Sequence, residues 1–351
     1  MQSFRKVNLV KIMNRNSISA KTACVLLAVM LCLSAAACGE DPEQDPTVKI
    51  AYMKDVNGYE AGNEAKVAVA KDFLSEHVFT LDYIETKTVK DAAGNAKNIL
   101  EKDYDLIIAT SYTTSKALSD SMSESVSGSV LTIGYDFSSE QINSVILKHE
   151  EAAFFGGIIA ASESKTKKIA YLGGYQDEAN IPIEYGFYTG AYSAEAKIKI
   201  TSKYVKSFNN PSAAEKLVAE LISEGVDVVF TNCGASALGI AAADPEKKLK
   251  VICSSDYRLE DERVITYLNT DIQPVLNEII ARFLQDGKFE EQFYEYGYLD
   301  GVFTFDTFGV SEEGKEILAD KMRLFYDSSD KFSIPKTEKE FQKFDFKIFR
   351  K

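Results

Sequence analysis

The sequence contains no tryptophan and only two histidines, His77 and His149, among its 351 residues. It also lacks a CxxC pair, an HExxH helix, a GxSxG turn and a GK[ST] phosphate loop, so the common zinc, serine-hydrolase and nucleotide-hydrolysis motifs are absent. His149 begins HEEAA, and we interpret both histidines as boundary or surface residues rather than as ligands. The sequence therefore predicts a protein that is not an enzyme and that needs no metal or other cofactor.

Cysteine is scarce as well, with five residues in the chain. Cys24 and Cys32 lie in an apolar run near the N-terminus, and Cys38 follows that run, which leaves Cys233 and Cys253 for the body of the protein. Each of these two ends a strand-like run, VDVVFTNC or KLKVIC. A disulfide between them requires that the two strands be neighbours, and the alternative that we favour is a pair of buried thiols.

Acidic residues are missing from residues 1–37, where a basic stretch precedes the apolar run Thr22–Ala37. That run is too short, and too rich in small residues at its end, for a membrane span. It leads into LSAAAC, which is similar to the bacterial lipobox, although Ala35 stands where leucine is usual. We predict a lipoprotein signal peptide over residues 1–37, acylation of Cys38 (palmitate), and a membrane anchor that faces outside the cytoplasm. The alternative is an ordinary secretory signal.

Basic residues are outnumbered in the chain, 40 against 53 acidic ones, which gives a formal net charge of −13. Five of the basic residues and none of the acidic ones fall in residues 1–37, so the remainder carries −18. A body this acidic repels phosphate backbones, and we exclude nucleic acid as a partner. Acid and proline residues also dominate residues 38–47, which we interpret as a solvated tether.

Short apolar runs alternate with helical patterns from residue 48 onward. This alternation predicts parallel sheets that are covered by helices on both faces. The runs read as strands are VKIAYM, TLDYIET, DLIIATS and SVLTIGYD, and then KKIAYLGG, AKIKITSKYV, VDVVFTNC, KLKVICSS and RVITYLNT. Because the pattern restarts near residue 150, we predict an α/β protein with two Rossmann-like, doubly wound lobes. A strand pair is predicted around YEYGYLDGVFTF, and no function is assigned to the phenylalanine-rich end KTEKEFQKFDFKIFRK.

The segment EAAFFGGIIAASESKTKKIAYLGG, Glu151–Gly174, holds a glycine-paired helix, a basic loop and a strand that ends in two glycines. Gly156 and Gly157 would let the helix approach the sheet closely. The segment resembles a signature of the basic membrane protein family, which comprises PnrA-like substrate-binding lipoproteins of ABC transporters, several of them specific for purine nucleosides. The runs IEYGFYTGA, GVDVVFTNCGASALGIAAA and, more weakly, DYDLIIATSY match further family patterns in the same order. The residues that fit the signature are Glu151, Phe154, Gly157, Ser164, Lys165, Thr166, Lys168, Gly173 and Gly174.

The resemblance implies a type I periplasmic-binding-protein fold, in which three strands cross between two lobes and the ligand lies between them. We predict an N-terminal lobe from residues 48–145 and 266–300 and a C-terminal lobe from residues 146–265 and 301–351. The implied function is capture of a small polar ligand, first of all a purine nucleoside, for an ABC permease in the membrane. The alternatives are another nucleoside-like or sugar-like solute, a ligand-sensing relative that is not engaged in transport and, as the least favoured, a surface-anchored hydrolase.

Ligands of open parallel sheets lie beyond the carboxyl ends of the strands. Aromatic rings at those ends can stack on a base, and carboxylates can accept hydrogen bonds from ribose hydroxyls. The predicted ligand-binding residues are Asp55, Tyr59, Asn63, Ser111, Tyr112, Asp136, Gly174, Tyr175, Tyr185, Phe187, Asn232, Cys233, Gly234 and Asp256. The chain departs from the family at two ligand contacts. The family's aspartate aligns with Ser255 or, with a one-residue slip, with Asp256, and the family's lysine aligns near Asn269–Thr270.

Overall fold

Two six-stranded sheets organise the computed structural model, which describes residues 48–53, 79–123, 126–254 and 259–349. Both sheets belong to the unit Thr47–Lys351. Helices cover each sheet, so the predicted class, an α/β protein with two doubly wound lobes, is confirmed.

The N-terminal sheet is parallel throughout. Its strands are β1 (Val48–Met53), β2 (Phe79–Ile84), β3 (Leu106–Ala109), β4 (Ser129–Gly134), β5 (Ile142–Leu147) and β11 (Phe293–Tyr296), in the spatial order β11-β5-β4-β3-β1-β2. The associated helices are α1 (Val89–Leu100), α2 (Tyr112–Ser121) and α7 (Gln273–Asp286). Alternate residues of β1 enter different cores, with Ile50 and Tyr52 in one and Ala51 and Met53 in the other. Burial on both faces explains why residues 50–53 form an unbroken apolar run.

The C-terminal sheet is parallel except at one edge, where β12 runs antiparallel to β10. Its strands are β6 (Lys168–Gly173), β7 (Lys199–Tyr204), β8 (Val228–Asn232), β9 (Lys250–Cys253), β10 (Val264–Thr270) and β12 (Phe303–Phe305), in the order β12-β10-β9-β8-β6-β7. The helices that follow these strands or precede them are α3 (His149–Glu163), α4 (Ile181–Ala194), α5 (Pro211–Ser223), α6 (Gly239–Ala243), α8 (Glu312–Ser328) and α9 (Glu338–Phe341).

The chain passes between the two sheets three times. It leaves the N-terminal sheet after β5, returns after β10, and crosses again between β11 and β12. The lobe boundaries predicted at residues 146 and 266 therefore fall inside strands, because β5 continues to Leu147 in the N-terminal sheet and β10 reaches Thr270 in the C-terminal sheet. Hydropathy locates a strand along the chain but does not identify its hydrogen-bonding partner, which accounts for the shift.

The structure also differs from the prediction of a strand pair near residue 300. The runs around YEYGYLDGVFTF form β11 and β12, yet these strands do not pair with each other, since β11 joins β5 and β12 joins β10. In contrast, β8 and β9 are neighbours, as a disulfide between Cys233 and Cys253 would require. Both cysteines are nevertheless free and buried, and burial raises the pKa of each thiol.

The glycine pair in α3 serves two different contacts. A Cβ atom on Gly156 would lie 2.6 Å from the ring of Phe230 in β8, so this glycine lets the helix approach the sheet, as predicted. A Cβ atom on Gly157 would instead lie 2.0 Å from the backbone oxygen of Phe187. Gly157 therefore serves the contact of α3 with α4 rather than the contact with the sheet, and the prediction for this residue was wrong.

The phenylalanine-rich end of the chain packs against these two helices. The ring centroid of Phe349 lies 5.0 Å from that of Phe154 in α3, and the Phe349 side chain is fully buried. Phe341 contacts Tyr185, Tyr188 and Tyr192 of α4.

Across the described residues, no helix has both the length and the apolar character needed to span a membrane.

Candidate functional site

Several predicted residues fall outside the described part of the chain. They are Cys38, Asp55, Tyr59, Asn63 and Asp256. The described part of the candidate site lies at the carboxyl ends of β3, β4, β6, β7, β8, β9 and β10.

The N-terminal lobe contributes a group of three aromatic rings. Tyr112 begins α2, and its ring centroid lies 5.4 Å from Tyr135 and 5.5 Å from Phe137, both of which follow β4. Ser111 precedes Tyr112 and caps α2, because its Oγ accepts a hydrogen bond from the backbone N–H of Thr114. Ser111 thus orients the helix on which Tyr112 is carried.

Asp136 lies between the two aromatic residues that follow β4. Its carboxylate accepts hydrogen bonds from the backbone N–H of Ser138, at 3.0 Å, and from the Ser138 hydroxyl, at 2.6 Å. The side chain is exposed, and a carboxylate has further lone pairs to offer. Asp136 is therefore able to form the local turn and still accept a hydrogen bond from a ligand.

A row of rings joins the two lobes at the first crossover. The ring centroid of His149, the first residue of α3, lies 6.0 Å from Tyr135 of the N-terminal lobe. On the other side it lies 5.4 Å from Phe303, which begins β12 of the C-terminal sheet. The interpretation of His149 as a plain boundary residue was incomplete, because the side chain lies where the two lobes meet.

The C-terminal lobe presents a second aromatic pair. Tyr175 follows β6 and is 42% exposed, and its ring packs edge-on against Phe208, which follows β7, at 5.5 Å. A Cβ atom on Gly174 would lie 2.4 Å from the Phe208 ring, and Gly234 reaches the same residue with a φ of +55°. The two predicted glycines therefore make room for Phe208. The sequence prediction omitted Phe208, which stands four residues beyond the last residue of β7 in the run YVKSFNN.

Charges of the C-terminal lobe act on the aromatic group of the N-terminal lobe. Burial raises the pKa of Tyr112, and the negative charges of Glu178 and Asp177 raise it further, against the smaller opposing effect of Lys116. Asp177 and Glu178 belong to the loop between β6 and α4. These negative charges therefore favour the neutral, protonated form of the Tyr112 hydroxyl.

Asn232, the last residue of β8, is buried within a hydrogen-bond network. Its Nδ2 donates to the Tyr171 hydroxyl and to Asn180 Oδ1, both at 3.0 Å. Its Oδ1 accepts from Ser254 Oγ, also at 3.0 Å. Since both amide N–H bonds are used within the protein, Asn232 orients Ser254 rather than donating to a ligand.

A small cavity, which we name the floor cavity, lies where α3 meets the ends of β8 and β10. Its polar lining consists of His149, Asn232, Ser254 and Thr270, and Phe303 closes one side. The volume is about 30 Å³. Within the described part of the chain, the buried Thr270 Oγ1 has no hydrogen-bond partner. Ser254, Thr270 and His149 were not among the predicted site residues.

Three predicted site residues have side chains that pack elsewhere in the C-terminal lobe. Phe187 is fully buried beside Tyr171 and Phe230, so the structure corrects its assignment as a ligand contact. Tyr185 lies within α4 and packs against Phe341 of the chain end. Cys233 has a fully buried side chain in the core, which leaves only its backbone at the strand end.

Comparison with known proteins gives consistent matches. The family model of PnrA-like ABC transporter substrate-binding proteins (Bmp) matches residues 51–340. Basic membrane protein A2 of Borrelia garinii subspecies bavariensis is 31% identical over 163 residues, 44% of this chain and 48% of that protein. An ABC transporter nucleoside-binding protein, BmpA of Lactococcus lactis, is 22% identical over 216 residues, 60% of this chain and 62% of that protein. The chain thus spans about half the length of the first relative.

Solved structures agree on the fold. The crystal structure of an ABC transporter solute-binding protein from Aeropyrum pernix K1 superposes with a TM-score of 0.69 at 14% identity. The superposition covers 84% of this chain and 96% of the Aeropyrum pernix chain, so the similarity concerns the type I periplasmic-binding-protein fold. Because the family model covers most of the sequence, the chain belongs to the family of PnrA-like ABC transporter substrate-binding proteins.

Proposed function

We propose that the protein captures a small polar solute, first of all a purine nucleoside, between its two lobes and presents it to an ABC permease. One observation carries the proposal: aromatic side chains stand at the strand ends of both lobes, with Tyr112 in the N-terminal lobe and Tyr175 and Phe208 in the C-terminal lobe. In the proposed complex these flat rings stack on the two faces of a base, and each stack contributes about 1–3 kcal/mol in nucleic-acid platforms.

Family membership supports the role in transport, and the printed name of the Lactococcus lactis relative supports the ligand class. A lipid anchor at Cys38 would hold the protein on the outer side of the membrane, where a permease operates. Binding and closure of two lobes need no covalent chemistry, so we propose no catalytic residue.

The floor cavity favours one alternative ligand, because none of the described residues that line it is a carboxylate, an ammonium or a guanidinium. Hydroxyl and amide groups at that position suit any neutral sugar as well as a ribose. A sugar-like solute without a base is therefore the second candidate.

A thermal-shift panel tests the proposal. The purified protein is mixed in turn with guanosine, inosine, adenosine, guanine, D-ribose and D-glucose, each at a concentration far above micromolar. A ligand present at 100 times its Kd raises the free energy of unfolding by about 2.7 kcal/mol, which is a shift of several degrees. A rise with purine nucleosides supports the proposal, a rise with sugars alone replaces it with the second candidate, and no rise with any compound contradicts both.

A further inference from the structure

Thr270 is the one residue of the floor cavity whose polar atom has no partner in the described part of the chain. The residue ends β10, and its backbone is fixed by pairing with Phe303 of β12. Its Oγ1 is buried nonetheless. Burying a hydroxyl without a hydrogen bond costs free energy, so such an atom beside a polar cavity indicates a partner that is not part of the chain.

Ser254 restricts the chemistry of that partner. Its hydroxyl proton is donated to Asn232 Oδ1, and Asn232 is held in turn by Tyr171 and Asn180. Toward the cavity, Ser254 therefore offers lone pairs and acts as an acceptor. Thr270 Oγ1 is able to donate one hydrogen bond and to accept others, because nothing among the described residues uses it.

The size of the floor cavity and the charges of its lining restrict further which ligand groups can enter it. A cavity of about 30 Å³ has room for one water-sized group and not for a ring. None of the described residues that line it is a carboxylate, an ammonium or a guanidinium. His149 is the one described lining residue that can become charged, and its charge would be positive, so an entering cation would be desolvated without a counter-charge. An entering anion would face the lone pairs of Ser254, which leaves a small uncharged group.

We propose that Thr270 and Ser254 bind a single alcohol hydroxyl of the ligand, which accepts a hydrogen bond from Thr270 and donates one to Ser254. An ionised carboxylate or phosphate has no proton to donate to Ser254, and an ammonium, which has no lone pair, would leave the Thr270 proton without an acceptor. Thr270 is on this basis a specificity-determining residue for alcohols such as a ribose or another sugar. The inference rests on the proposed function and refines it by assigning a contact to one hydroxyl.

Calorimetric titration of Thr270→Val tests the assignment, because valine keeps the shape of threonine and removes the hydroxyl. The wild type is first titrated with guanosine, inosine, adenosine and D-ribose, and then with the 2′-, 3′- and 5′-deoxy analogues of the compound that binds most tightly. We expect Thr270→Val to weaken binding of that compound about tenfold. The wild type should bind one of the deoxy analogues more weakly than the parent compound by the same factor. The variant Thr270→Val should bind that analogue and the parent compound with equal affinity. Thr304→Val, an exposed position on the neighbouring strand β12, is the matched control and should bind like the wild type.

Each outcome separates the inference from the function on which it depends. Unchanged affinity in Thr270→Val would mean that the cavity holds only water, and this overturns the inference while the proposed function stands. The inference is also overturned if the loss of affinity caused by Thr270→Val adds in full to the loss caused by each deoxy analogue. No heat with any compound on the wild type contradicts the proposed function itself. If Thr270→Val does not give a cooperative melting curve, Ser254→Ala carries the same test, with the same analogue expected to lose its sensitivity.

Discussion

At the scale of single residues, Gly157 tests whether helix contact or helix propensity decides the stability of α3. A Cβ atom there would lie 2.0 Å from Phe187 O and 2.7 Å from Ala191 N, both backbone atoms of α4. Because backbone atoms of a packed helix cannot move aside cheaply, we expect Gly157→Ala to lower the free energy of unfolding by about 3 kcal/mol. Urea denaturation monitored by circular dichroism measures the change.

Gly94 provides the matched control for that substitution. It also lies within a helix, α1, but a Cβ atom on it would have no neighbour within 4 Å. Gly94→Ala should therefore raise the free energy of unfolding by about 0.5–1 kcal/mol, since alanine loses less backbone entropy than glycine. Equal effects of the two substitutions would contradict the close contact between α3 and α4.

Single residues of the site were predictable from sequence only in part. The positions of Tyr112, Tyr175 and Gly234 follow directly from where strands end, and the structure brings all three to those ends. Phe187 was misassigned because an aromatic residue on a helix has the same sequence pattern whether it faces a ligand or the core. Phe208 was omitted because it stands beyond the strand end, and only the folded loop returns its ring to Gly174.

At the scale of secondary-structure elements, α3 is fixed at its last turn by a buried carboxylate. Glu163 accepts hydrogen bonds from Lys250 of β9 and from the backbone N–H and hydroxyl of Ser311, which caps α8. Burial acts to raise the pKa of Glu163, but these hydrogen bonds together outweigh it and hold the pKa below its ordinary value of 4.5. The ionised carboxylate thus ties three elements of the C-terminal lobe together.

The stability of the protein should therefore depend on the charge of Glu163. A depressed pKa means that the stabilisation is present above about pH 4.5 and is lost as the pH falls through the lower pKa of the folded state. We expect Glu163→Gln to reduce the free energy of unfolding by about 1–3 kcal/mol at pH 7 and to flatten its decline in acid. Urea titrations between pH 7 and pH 3 measure both effects.

The exposed carboxylate of Glu215 in α5 serves as the control. Glu215→Gln should leave the pH profile of the wild type unchanged, because an exposed surface charge contributes little. If the free energy of unfolding of Glu163→Gln declined in acid as steeply as that of the wild type, other groups would govern acid stability.

Elements themselves were largely predictable, because burial on both faces of a parallel sheet leaves apolar runs in the sequence. The exception in the N-terminal lobe is β5, whose sequence INSVIL mixes polar and apolar residues and was not recognised as a strand. Pairing could not be predicted: β11 and β12 are consecutive but join different sheets, and only tertiary contacts determine which edge each one finds. The restart of the strand and helix pattern was enough to predict two lobes.

At the scale of the whole molecule, we propose that two lobes contact one solute from opposite sides. The three chain crossings place the row Tyr135, His149 and Phe303 at the base of the site, where the lobes join. The aromatic groups of Tyr112 and Phe208 stand on different lobes, and neither would suffice alone if a base is held between them. Affinity should for that reason respond to changes in either lobe.

The most direct test is a calorimetric titration of guanosine into Tyr112→Leu and Phe208→Leu, with Phe308→Leu as a control at a phenylalanine that is 63% exposed. Loss of one stack is worth about 1–3 kcal/mol, so we expect each of the two site variants to bind roughly 5- to 150-fold more weakly than the wild type. The control should match the wild type. Wild-type affinity in either site variant would contradict a solute held by both lobes.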